Sequence, residues 1–240
     1  MVGLESPVFA LRATPRQATP PLLPGQPFDV GCYNRVFRTS ALRARPLLPG
    51  ARSPTSVEDR NTEWTEAMMR AWQGRDRHRW GIEGLQFHRY TGGPRGVMQD
   101  AATGFGEREY AVFIRNTYEM DELLSLHSAM MDRYDPEKEV VLAVDEFGVW
   151  LAPTPGTNPL FLQQQNSLRD AILASINLNI FTRHADRIRV ANIAQMVNVL
   201  QAMILTDDER MLLTPTYHVY RMYVPFQDAR FIPIDLDRGQ

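Results

Sequence analysis

Asp145 and Glu146 stand side by side at the end of an apolar run, in VVLAVDEFGVW (residues 140–150). A carboxylate held at the end of a buried strand can attack the anomeric carbon of a sugar. It would stabilise an oxocarbenium-like transition state and form a glycosyl-enzyme ester. Side chains alternate across a strand, so strict alternation lets only one of the two acids face a given cavity. The plainer reading is a loop carboxylate that pairs with an arginine or caps the next helix. His88 and Tyr90, two residues apart in GIEGLQFHRYTGG, share one strand face. There the phenol can hydrogen-bond a nucleophile while the imidazole lines a pocket, or the two are an ordinary half-buried polar pair. Gln195, in RIRVANIAQ, can present its amide to sugar hydroxyls, or be an unremarkable residue after a strand.

The elements that must position these groups follow from periodicity. NTEWTEAMMRAWQ places Trp64, Met68, Met69 and Trp72 at helical spacing, with Asn61 or Thr62 as N-cap. A short strand through His88 and Tyr90 follows, then one long helical stretch over FGEREYAVFIRNTYEMDELLSLHSAMMDRY. Val140–Val144 is apolar on both faces, as a buried parallel strand requires, and the chain is expected to turn at Gly148. FLQQQNSLRDAILASINLNIFTRHAD is again helical, RIRVANIAQ a third strand and TPTYHVYRMYVPF a closing helix. Helices alternating with strands predict an α/β fold with a parallel sheet, either a barrel or an open doubly wound sheet. No Gly-x-Gly-x-x-Gly follows a strand, so nothing supports a dinucleotide site. Three strands that each end in polar residues (His88 and Tyr90, Asp145 and Glu146, Asn192 and Gln195) suit the reactive end of part of a barrel.

Composition narrows the class. The 240 residues carry 26 basic and 28 acidic side chains, a net charge of -2, which leaves no electrostatic footprint for nucleic acid or an anionic membrane. The single cysteine, Cys32, excludes an internal disulfide and a cysteine-rich metal site. No apolar stretch reaches the roughly 18 residues needed to span a bilayer, and the N-terminus lacks a secretory leader. A soluble, cytoplasmic protein is expected. His78, His127, His184 and His218 lack metal-ligand spacing and read as surface or helix residues, and the methionines as core filler. Residues 1–60 differ from the rest. They hold nine of the 17 prolines, in stretches such as TPPLLPGQP, and are expected to form a disordered linker or a start foreign to the remainder of the chain.

From Asn61 to Asp235 the words of the sequence resemble the α-L-arabinofuranosidases of glycoside hydrolase family 51. The resemblance is carried by VDEFGVW, by the unbroken stretch from PGTNPLFLQQQ to NVLQAMILT, and by LLTPTYHVYRMY. It implies a partial (β/α)8 TIM barrel comprising strands about five or six to eight over residues 61–227, with the start of a C-terminal β-sandwich at 228–240. By resemblance Glu146 matches the catalytic nucleophile of the family's DEWGVW, with Phe147 in place of tryptophan. Tyr90 matches the tyrosine that hydrogen-bonds it, His88 the pocket histidine before it, and Gln195 a glutamine that contacts arabinose. Arg89 departs from the usual aromatic.

The activity so implied is retaining hydrolysis of terminal non-reducing α-L-arabinofuranosyl residues from arabinan or arabinoxylan oligosaccharides. No cofactor or metal is implied, and family members are commonly homo-oligomers, often hexamers. The family's acid/base glutamate lies in GNExWGCGG, which has no counterpart here, so activity is expected to be impaired. The alternative is a non-catalytic fragment or a subunit of a split glycosidase.

Overall fold

The computed structural model describes residues 60–74, 84–226, 229–232 and 234. The expectations for residues 1–59 and for the start of a β-sandwich at 228–240 lie largely outside the described residues.

Five helices and five strands are described, alternating at first as the periodicity predicts. Helix α1 spans Glu63–Gln73 and strand β1 Gly84–Thr91, followed by α2 at Glu107–Thr117 and α3 at Glu119–Asp132. Then come β2 at Val141–Val149, α4 at Leu168–Arg183 and β3 at Ile188–Ile193. A hairpin, β4 at Ile204–Asp207 and β5 at Arg210–Leu213, precedes α5 at Pro215–Tyr223. Strands β1, β2 and β3 pair in parallel in that order, with β2 central. Among the described residues no helix is long and apolar enough to cross a membrane.

Helix α1 buries Thr65, Met69 and Trp72, a stripe at helical spacing. It is Asn61, not Thr62, that serves its first turn: the Asn61 side chain accepts from the Glu63 N–H at 2.9 Å. Of the two places expected for His127, surface or helix, the helix holds: it lies on α3 and is buried. It lies 2.9 Å from the Thr65 hydroxyl and edge-on to Phe87 of β1, which ties both helices to the sheet.

The one long helix expected between β1 and β2 is two, broken at Tyr118. Thr117 turns its hydroxyl back onto the Phe113 carbonyl, and Asn116 reaches out to the Gly92 carbonyl at 2.9 Å. Both bonds compete with straight continuation of the helix. Gly93 leaves no room for a side chain, since a Cβ there would lie 2.4 Å from the Phe113 ring.

Helix α4 begins later than its apolar pattern suggests. Ser167 caps it, and Asp170 accepts from the Ser167 N–H at 2.8 Å, a reciprocal cap that fixes the start at Leu168. The residues before the cap serve the sheet instead. Gln164 accepts from the Leu151 N–H at 2.9 Å and donates to the Val149 carbonyl at 3.0 Å. Gln201 accepts from the Val149 N–H at 2.9 Å and donates to the Asp170 carbonyl at 2.7 Å. Two buried glutamine side chains thus supply the far end of β2 with the partners its buried backbone requires.

Strand β2 does not turn at Gly148; it runs through to Val149. Gly148 has φ +153°, and a Cβ there would sit 3.2 Å from Gln201 Oε1 and 3.3 Å from the Ala194 carbonyl. Glycine is required by this close approach, not by a change of direction. The hairpin β4–β5 has no counterpart in the periodicity reading. Its strands are four residues each, too short to register against their neighbours.

Candidate functional site

The parallel strands β1 and β2 bring His88, Tyr90, Asp145 and Glu146 together at their carboxyl-terminal halves. The register pairs Gln86 with Ala143 and then His88 with Glu146, so two residues of β1 span three of β2. Against β3 the same happens, with Val144 opposite Ala191 and Phe147 opposite Ile193. Strand β2 therefore carries one extra residue between Val144 and Phe147, a bulge relative to both neighbours. A bulge breaks strict alternation and re-aims side chains.

The consequence corrects the expectation that only one acid can face the site. Asp145 Oδ1 lies 2.7 Å from His88 Nε2, and Glu146 Oε2 lies 3.6 Å from His88 Nδ1. One imidazole is thus placed between both carboxylates. Val144 and Phe147, on either side, are fully buried.

Tyr90 donates its phenolic hydrogen to Glu146 Oε2 at 2.7 Å, the length of a strong charge-assisted bond. The Tyr90 ring meets Trp150 edge-on, with centroids 4.9 Å apart. Gln86 donates to the second oxygen of Asp145 at 2.5 Å. Gln86, His88 and Tyr90 follow one another at the period of a strand face. Asp145 Oδ1 sits off the line of the His88 N–H, so that contact acts as an ion pair rather than an aligned hydrogen bond. The side chain of Glu146 is 37% exposed, whereas His88 and Asp145 are 17% and 14% exposed, so Glu146 is the acid within reach of a ligand.

Burial works against a charge on His88, yet the contact with Asp145, joined by the charges of Asp145 and Glu146, outweighs it. The imidazolium is held above its ordinary range. Arg89, between His88 and Tyr90, pairs with Glu119 of α3 at 2.7 Å.

The sequence reading singled out His88, Tyr90, Glu146 and Gln195, and the first two both meet Glu146, at its Oε2. Gln195 follows β3, is exposed, and its N–H donates to the Val199 carbonyl at 3.2 Å. The Ala194–Gln195 peptide is cis. Sequence reasoning missed Gln86 and the contact of Asp145 with His88. The two-residue step from Gln86 to His88 was a usable signal; the bulge had none. Among the described residues no three His, Cys, Asp or Glu side chains converge as a metal site.

The comparisons with known proteins bear on this same region. Residues 145–240 match the model of the α-L-arabinofuranosidase C-terminal domain, beginning at the carboxylate pair itself. An intracellular exo-α-L-arabinofuranosidase of Bacteroides ovatus is 42% identical over 182 residues, which is 76% of this chain and 34% of that protein. The solved family 51 arabinofuranosidase of Xanthomonas axonopodis pv. citri is 54% identical over 70% of this chain and 33% of its own, with a TM-score of 0.64. Over this region the chain is similar to the arabinofuranosidases of glycoside hydrolase family 51. An intracellular exo-α-(1→5)-L-arabinofuranosidase of Halalkalibacterium halodurans is more distant, 30% identical over 44% of this chain and 24% of that protein. The chain spans about a third of the length of the Bacteroides and Xanthomonas proteins.

Proposed function

We propose that this chain carries the nucleophile half of a retaining α-L-arabinofuranosidase site, on strands six to eight of a (β/α)8 barrel. Glu146 is the nucleophile, Tyr90 orients it, and His88 and Gln195 face the arabinose. The observation that carries this reading is the 2.7 Å bond from Tyr90 to Glu146 at the carboxyl ends of adjoining parallel strands, the end of an α/β sheet where function gathers. Its setting, in a chain 54% identical to a family 51 arabinofuranosidase over most of its length, supplies the substrate class.

In the first step a Glu146 oxygen bonds to C1 of the arabinofuranose while the bond from C1 to the leaving oxygen breaks. That oxygen departs with the electron pair and, in a natural oligosaccharide, needs a proton from a second carboxyl group about 5–5.5 Å away. Without such help the rate falls by about 10²–10⁴-fold. A dinitrophenyl leaving group needs no proton and so tests Glu146 alone. Incubating the full chain with dinitrophenyl α-L-arabinofuranoside is expected to release dye in a burst and add one pentosyl unit to the intact mass. Glu146→Ala should do neither. Folded wild-type protein that yields neither burst nor adduct would sink the reading.

A second reading makes the chain a subunit whose acid partner lies on another polypeptide. It is favoured by β1 and β3, which are edge strands among the described residues and offer unpaired backbone to further strands. Native mass measurement after co-expression with an amino-terminal fragment of a family 51 relative would show a complex if it holds.

A further inference from the structure

We propose that Asp145 is a positioning residue for Glu146, acting through His88: it fixes the imidazole between the two acids so that the second ring nitrogen stays turned to the nucleophile. The inference deepens the reading of Glu146 above and rests on it for its purpose, though not for its geometry.

The placement is deliberate in physical terms. Asp145 reaches His88 only because β2 carries an extra residue between Val144 and Phe147. Its Oδ1 lies 2.7 Å from His88 Nε2, while its Oδ2 accepts from Gln86 at 2.5 Å. A carboxylate gripped from the adjoining strand cannot easily swing away, so the ring is held on one side by a fixed charge. The opposite ring nitrogen then faces Glu146 Oε2 at 3.6 Å, the oxygen that also accepts from Tyr90. The charged groups facing the imidazole are Asp145 and Glu146 from β2. On its own strand, Tyr90 bonds Glu146 and Arg89 pairs with Glu119 of α3.

Two acids around one imidazole would be redundant if both kept their charge throughout. They do not. When Glu146 bonds to C1 and the leaving oxygen departs with its electrons, the glutamate becomes a neutral ester and its attraction for His88 is lost. Asp145 takes no part in bond making and keeps its charge. It therefore holds the imidazolium beside the ester, where a cation favours departure of the Glu146 carboxylate in the second step. This also answers why a bulge should deliver two acids to one cavity: one is consumed in the chemistry and the other is not.

The test is the titration of the His88 ring in the ¹⁵N-histidine-labelled full chain, assigned with His88→Gln. In wild type the midpoint is expected above that of an ordinary histidine. Asp145→Asn should lower it more than Glu146→Gln, the neutral stand-in for the ester, and the Glu146→Gln chain should keep a midpoint above that of Asp145→Asn. Trapping with dinitrophenyl α-L-arabinofuranoside should be about 10- to 100-fold slower in Asp145→Asn, as expected when a reacting group loses its alignment. A wild-type midpoint at or below the ordinary value overturns the proposal without any variant. So does a larger fall in Glu146→Gln than in Asp145→Asn. Altered titrations with no adduct in wild type would instead uphold the Asp145 role and sink the glycosidase reading.

Discussion

The two ends of the sheet use the same ingredients, one cation between two carboxylates, to opposite effect. At the amino-terminal end Arg187, fully buried just before β3, donates to Asp135 Oδ2 at 2.7 Å, to the Val140 carbonyl at 2.8 Å and to the Asp135 carbonyl at 2.8 Å. It also pairs with Asp132 at the end of α3. Asp135 in turn accepts the backbone N–H groups of Glu139 and Val140 at 3.0 and 2.8 Å. At the carboxyl-terminal end His88 has its two acids, but one contact is unaligned, the other is 3.6 Å long, and Glu146 opens to solvent. A guanidinium keeps its charge at any accessible pH and its fork rewards saturation, whereas an imidazole can change charge. Multiple short bonds from two of the Arg187 nitrogens lock the bottom of the sheet; loose bonding leaves the top free to do chemistry.

The largest test of that contrast is Arg187→Met, which keeps the volume but leaves Asp135 buried and unpaired. It is expected to cost about 3–5 kcal/mol in urea denaturation, whereas Glu146→Gln should unfold close to wild type. Comparable losses in both would erase the distinction between the two ends. Next comes Tyr90→Phe, which removes a hydrogen bond to a charged oxygen. Adduct formation should slow about 10- to 100-fold, matching a bond of about 1.5–3 kcal/mol, with little change in unfolding midpoint. Gly148→Ala probes the frame between the ends. Its Cβ would crowd Gln201 and the Ala194 carbonyl at a positive φ, for an expected loss of about 1–3 kcal/mol in the same denaturation experiment.

The smallest effects are in pH dependence, and the two ends differ in sign. Burial would raise the Asp135 carboxyl, but the Val140 and Glu139 amides and Arg187 outweigh it and hold it below its ordinary 3.8. Its stabilisation is present above 3.8 and is lost as pH falls through the lower folded value. His88 is shifted upward, so its contribution is present below 6.5 and is lost as pH rises through the higher folded value. Thermal melts across pH should show Asp135→Asn flattening the acid limb and His88→Gln the neutral-to-alkaline limb. A His88→Gln profile that parallels wild type there would show that the upper cluster carries no linked proton.

Much of this was legible in the sequence because it is local. The apolar run 140–144, the Trp64–Met69–Trp72 spacing and the step from His88 to Tyr90 report element type and facing residues directly. What failed was less local. The helix break at Tyr118 depends on Asn116 reaching Gly92, and the late start of α4 on Gln164, which is committed to β2.

By itself the sequence determined that a buried strand carries Asp145 and Glu146, that His88 and Tyr90 share a strand face, and which family the words resemble. Only the tertiary structure decided that both acids meet one imidazole. Register is a property of two strands together: the extra residue in β2 becomes a bulge only when β1 and β3 are laid against it. No periodicity within one strand can announce that shift, and on it depends whether Asp145 faces away or holds His88 against Glu146.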